Sequence, residues 1–119
     1  MKITREDRGD VVLVRVEART LGTAREHGEA MVAEFERVLS EGHRKILLDL
    51  REVRVINSSG VGALITLFIR TQRAGGTLKL LIGTNRRIRM LLEIVKLREI
   101  FDWFDDEGVA LDSFKGESP

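Results

Sequence analysis

The sequence predicts an α/β fold: one domain with a mixed central sheet of four or five strands and about four helices. Three observations predict it. Short β-branched or continuous apolar runs alternate with longer stretches whose apolar residues recur every three or four positions. Three of those longer stretches carry a single apolar stripe, so each has one face to bury against a sheet. No internal repeat or low-complexity linker divides the 119 residues, a length near that of a single core.

The elements follow in order. Lys2-Ile-Thr-Arg-Glu6 predicts a short edge strand, with Arg8-Gly9-Asp10 as the turn after it. Val11 to Glu17 is β-branched and predicts the next strand. Gly28, Met31, Val32, Phe35, Val38 and Leu39 follow helical spacing, so a helix is predicted from about Ala24 to Ser40, ended by Glu41-Gly42-His43. Lys45 to Leu50 is a nearly continuous apolar strand, as in a sheet covered on at least one face. Arg51 to Ile56 is an extended connection.

A second helix is predicted over Ser58 to Arg73, with Val61, Leu64, Ile65 and Phe68 as its core stripe and Gly75-Gly76 as its stop. Thr77 to Ile82 is the next strand. Thr84 or Asn85 can cap a third helix whose stripe is Ile88, Leu91, Leu92 and Val95. Glu99 to Trp103 predicts a last short strand and Glu107 to Phe114 a closing helix. Residues 1–114 then form the domain, and 115–119 a disordered tail. Strands alternating with helices imply right-handed crossovers.

Composition excludes several classes of function. No apolar run approaches the roughly 20 residues of a membrane span, so no membrane insertion is expected. The start, Met1 to Arg8, is too charged for a signal peptide. There is no cysteine, which excludes disulfides and thiolate metal sites and points to a reducing cytoplasm. The 20 basic and 19 acidic residues leave a net charge of +1, with no general drive toward nucleic acid. The run Arg86-Arg87-Ile88-Arg89 is the local exception; it reads as a solvated helix start or as a docking point for a partner.

The only histidines, His27 and His43, cluster with no carboxylates, so no metal or cofactor is expected. Ser-Ser-Gly is not a Gly-x-Ser-x-Gly elbow, and nothing brings a histidine to Ser58, so no catalytic residue is assigned. Gly60-Val-Gly62 is a glycine pair without the Gly-Lys-Ser/Thr of a phosphate loop.

Asn57-Ser58-Ser59-Gly60 is the most informative segment. It lies where a strand has ended, a loop rises and an amphipathic helix begins. Amides at a helix start favour oxygen acceptors and negative charge. A serine there is either a plain cap or a phosphate acceptor, and Asn57 either an Asx turn or an N-cap. Ile69, Met90 and Ile94 fall off the core stripes of their helices. They are scattered surface residues, or a docking patch if they adjoin the Ser58 loop.

The run Ile46-Leu-Leu-Asp-Leu50, a spacer, then Asn57-Ser-Ser-Gly-Val-Gly-Ala-Leu64 resembles the STAS domain family, in particular the anti-sigma-factor antagonists. Arg73-Ala-Gly-Gly76 resembles the family's glycine-ended second helix. Ile88 to Leu97, with Ile100-Phe101, resembles its third helix and last strand. The resemblance implies a non-enzymatic binding protein in a partner switch that regulates transcription. Its partner would be an anti-sigma factor that doubles as a serine kinase, and a serine phosphatase would reset it. Ser58 would accept the phosphate and Ser59 would support the helix start. Gly60 and Gly62 would let the partner approach the backbone. Asn57 stands where the family usually carries Asp; it would still accept from the partner through its side-chain carbonyl, without the charge, so that Asn57→Asp would tighten binding. Gly22 lies near where a second Asp would fall, so two acidic contacts to a kinase are absent. STAS domains also serve as scaffolding subunits of stress-sensing or lipid-transport assemblies, where the serines would only cap.

Overall fold

The computed structural model describes residues 1–22 and 25–116. Five strands form the main sheet: β1 (Lys2–Arg8), β2 (Val11–Glu17), β4 (Lys45–Asp49), β6 (Thr77–Leu81) and β7 (Trp103–Phe104), in the order β1-β2-β4-β6-β7. β1 and β2 form an antiparallel hairpin, and every later pair is parallel. Two further strands, β3 (Thr20–Leu21) and β5 (Val55–Ile56), form a small parallel sheet of their own. The helices are α1 (Arg25–Ser40), α2 (Ser58–Arg73), α3 (Arg86–Ile94) and α4 (Glu107–Asp112). The mixed α/β sheet with four helices is thus as the sequence predicts.

Strand alternation divides the sheet into two faces. Val12, Val14, Val16, Ile46, Leu48, Leu78 and Leu80 join the main core with Met31, Phe35 and Val38 of α1, Leu64 and Leu67 of α2, and Ile88 and Leu92 of α3. The opposite face carries Val11, Leu13, Leu47 and Leu81 against Ala110 and Phe114 at the α4 end. α4 is short, so part of that face is covered by charge pairs instead. Asp49 is 1% exposed, and its carboxylate accepts from Arg15 at 3.1 Å and from Arg51 at 2.9 Å. Burial pushes the Asp49 carboxyl up, but the hydrogen bonds from Arg51 and Arg15 outweigh it and hold it below the usual range. Lys79, also buried, donates to the carbonyl and hydroxyl of Ser113, both at 3.0 Å, and fastens the end of α4.

Several boundaries differ from the sequence reading. The expected α1 start at Ala24 and the end of the tail, 117–119, lie outside the described residues. The buried face of α2 is Gly60, Leu64, Leu67 and Thr71, while Val61, Ile65 and Phe68 are only partly buried. Bare Gly60 lets the start of α2 lie close on Leu21 and Ile56. Val95 is 41% exposed and not core. After it Lys96 adopts the left-handed conformation (φ 57°), and a 3-10 turn, Leu97–Glu99, carries Leu97 and Phe101 inward instead. The last strand therefore begins only at Trp103. Arg51–Ile56 is more than a connection, since its end pairs with β3.

Candidate functional site

The start of α2 is built by contacts among three chain segments. Asn57 N donates to Leu21 O at 3.2 Å, and Arg54 N and Val55 N donate to Arg19 O, so the β3–β5 pairing holds the loop before the helix. Asn57 is the N-cap: its Oδ1 accepts from Gly60 N at 2.9 Å, and its backbone oxygen accepts from Val61 N at 3.0 Å. Its Nδ2 donates to Gly22 O at 2.9 Å. Gly22 has φ of 99°, a conformation that side chains disfavour. A Cβ there would lie 2.0 Å from Asn57 Oδ1. The carbonyl of Asn57, expected to face a partner, is thus already used within the domain.

Ser58 is the first residue of α2 and is exposed. Neither serine hydroxyl makes a hydrogen bond among the described residues. Capping is the task of Asn57, so the reading of Ser58 and Ser59 as plain caps fails. Asn57 satisfies the Gly60 amide and opens the helix ladder at Val61. The amides of Ser58 and Ser59 remain at the positive end of a helix of sixteen residues.

The two serines face different surroundings. Ser59 lines a groove of about 510 Å³ between α1 and α2, beside Arg25, Gly28 and Ala63. Ser58 lies on the outward face, which helical spacing continues through Gly62, Ile65 and Ile69. Arg25 is 4.0 Å from Glu29, a loose pair on the surface.

The remaining candidate residues divide. Gly60 is buried, and a Cβ on it would come within 2.6 Å of Leu21 O and 2.7 Å of Ile56 Cγ2. Its need for glycine is internal to the fold. Gly62 is exposed, with nothing within 4 Å of an added Cβ. Ile69, Met90 and Ile94 are 43%, 60% and 70% exposed. Ile69 sits about 16 Å along α2 from Ser58, so it shares that residue's face without adjoining it. Asn85, the N-cap of α3, donates its Nδ2 to Val53 O at 3.0 Å and ties the start of that helix to the same connection. Sequence reasoning missed Leu21 as part of this site and the tie of Gly22 to Asn57, because only the fold brings these residues together.

A family model for the STAS domain matches residues 9–110. The chain belongs to the STAS domain family. The chain is 30% identical, over 82 residues, to a proposed anti-sigma factor antagonist of Thermotoga neapolitana; the match spans 69% of this chain and 72% of that one. Among solved structures, a proposed anti-sigma factor antagonist of Thermotoga maritima superposes with a TM-score of 0.78 at 21% identity, covering 93% of this chain and 92% of the other. The Bacillus cell fate determinant SpoIIAA in its phosphorylated form superposes with a TM-score of 0.69 at 18% identity, covering 96% and 100%. At these identities the solved structures speak for the fold. No helix among the described residues is long and apolar enough to cross a membrane.

Proposed function

We propose that this STAS domain is an anti-sigma-factor antagonist in a phosphorylation-controlled partner switch. It binds an anti-sigma factor that is also a serine kinase, releases it once Ser58 is phosphorylated, and is reset by a serine phosphatase. The observation that carries this reading is the Ser58 hydroxyl: exposed, unbonded, and relieved of capping by Asn57. The likeness to the Thermotoga antagonists and to a Bacillus protein solved in a phosphorylated form supports it.

The physics of the switch is local. Phosphate adds roughly 1.5 to 2 negative charges. At the positive end of α2 the domain tolerates that charge, while in a packed interface the bulk and desolvation eject the partner. The domain contributes a surface and an acceptor, and the kinase contributes the chemistry.

The test is phosphopeptide mapping of protein isolated from its native host, with binding measured against the cognate kinase. Phosphate on Ser58, lasting binding by Ser58→Ala and weakened binding by Ser58→Glu are the expected results. Phosphate only on Ser59 or elsewhere refutes the assignment. Equal affinities of the two variants leave a scaffolding STAS subunit as the function.

A further inference from the structure

The far edge of the sheet carries a second built feature. β7, the 3-10 turn before it, the middle of α3 and the start of α4 border an open cavity of about 320 Å³. Trp103 forms part of its wall and is 5% exposed. The indole Nε1 is buried and has no hydrogen-bond partner. Such a donor is costly to leave unpaired, and few folded proteins do so without a reason. The Arg98 guanidinium lies over the Trp103 ring, 3.9 Å from its centroid, and pairs with no carboxylate among the described residues.

The other polar groups of the cavity are already engaged. Asp105 holds the guanidinium of Arg89. Asp106 Oδ2 accepts from Val109 N at 3.0 Å and caps α4. Phe104 and the 57% exposed Val109 supply an apolar wall. Each aspartate thus has one oxygen engaged within the domain, and the unpaired donors of the lining are one indole N–H and one guanidinium, beside apolar surface.

We propose that this cavity binds a small organic carboxylate. Its oxygens accept from Arg98 and Trp103 Nε1, and its apolar body lies against Phe104 and Val109. The planar fork of Arg98 matches a carboxylate, and stacking on the indole restricts where that fork can go. Arg98 is exposed, so its side chain can move to close on the ligand. Two arginines against two aspartates leave the lining neutral, which suits a single negative charge better than a polyphosphate. The volume, at the small end of ligand pockets, sets a size of a few carbon atoms.

Trp103 is the only tryptophan, so its fluorescence and its indole N–H resonance report on this cavity alone. The full chain is titrated with hexanoate, with hexanol and with inorganic phosphate. Hexanoate should shift the indole N–H resonance saturably, with hexanol and phosphate about tenfold weaker or worse. Arg98→Gln, a surface change that leaves the core intact, should weaken hexanoate about tenfold. An indole resonance that does not move with hexanoate, or moves equally in the Arg98→Gln variant, overturns the site. Phosphate or hexanol binding as tightly as hexanoate overturns the ligand class.

Discussion

The side-chain amide of Asn57 donates to the carbonyl oxygen of Gly22 at 2.9 Å, joining the end of β3 to the start of α2. The same side chain caps the helix through its oxygen. Two departures from the family's acidic pattern, Gly at 22 and Asn at 57, are thus one local structure. An aspartate at 57 has the acceptor and lacks the donor. A side chain at 22 would collide with Asn57 Oδ1.

Asn57→Asp therefore keeps the cap and turns a hydrogen bond into an oxygen–oxygen repulsion. Asp is as good an N-cap as Asn, so α2 itself stays intact. The variant should lose about 1 kcal/mol in chemical denaturation. Amide exchange should quicken at Leu21, Gly22 and Asn57, and not within α2. From sequence alone this change is expected to tighten partner binding through its charge. The structure sets a loosened loop against that gain. Unchanged exchange at Leu21 and Gly22 would show that the amide bond to Gly22 contributes nothing in solution.

How far the sequence discloses this fold depends on where the information lies. The bounds of α2 are legible because Asn57 and Gly75 punctuate it and its apolar spacing is unbroken, with Gly75 in the left-handed region at φ 81°. β3 and β5 are not legible. Two residues have no period, and their partners are tens of positions apart. The late start of β7 follows from Lys96, a non-glycine residue in a left-handed turn that composition does not announce. At the site, the serines and Asn57 are visible in sequence, while the ties to Leu21 and Gly22 exist only after folding. Asp49 and Lys79 read as polar interruptions of apolar strands, and only the second face of the sheet shows what they bind.

Asp49 makes stability depend on acid. Its carboxyl is held below the usual range in the folded chain, so the unfolded chain binds this proton more readily. Its contribution is complete above the unfolded carboxylate pKa of about 4 and is lost as pH falls through the lower folded value. Asp49→Asn should lower stability at neutral pH by about 1–3 kcal/mol, since Arg15 and Arg51 lose a charged acceptor. The variant should also flatten the loss of stability below pH 4. Thermal denaturation from about pH 2.5 to about pH 7 checks both; parallel acid limbs in the two proteins would assign the acid sensitivity to other carboxylates.

Gly60 should tolerate no side chain. In Gly60→Ala the new methyl meets Leu21 O and Ile56 Cγ2 well inside contact distance, and backbone cannot retreat as a flexible side chain would. Displacing β3 from α2 should cost about 1–3 kcal/mol, as overpacking of a tight core does. Urea denaturation measures it. A neutral result would mean that α2 can lift off β3 without penalty.

Gly62, one helical turn beyond Ser58 on the same outward face, should behave in the opposite way. Nothing lies within 4 Å of an added Cβ, and a glycine inside a helix costs about 1 kcal/mol relative to alanine. Gly62→Ala should therefore raise stability by up to that amount. No packing within the domain requires glycine here, so the requirement, if one exists, comes from outside. A partner seated over Ser58 would lie against this turn of backbone, and a larger side chain would hold it off. Gly62→Leu should then fold normally and bind the kinase-type partner at least tenfold more weakly, a difference of about 1.4 kcal/mol in interface energy. Calorimetry with the unphosphorylated protein decides the point. Full affinity in Gly62→Leu would place the partner elsewhere, and the turn of α2 that carries Ser58 and Gly62 would no longer be its landing surface.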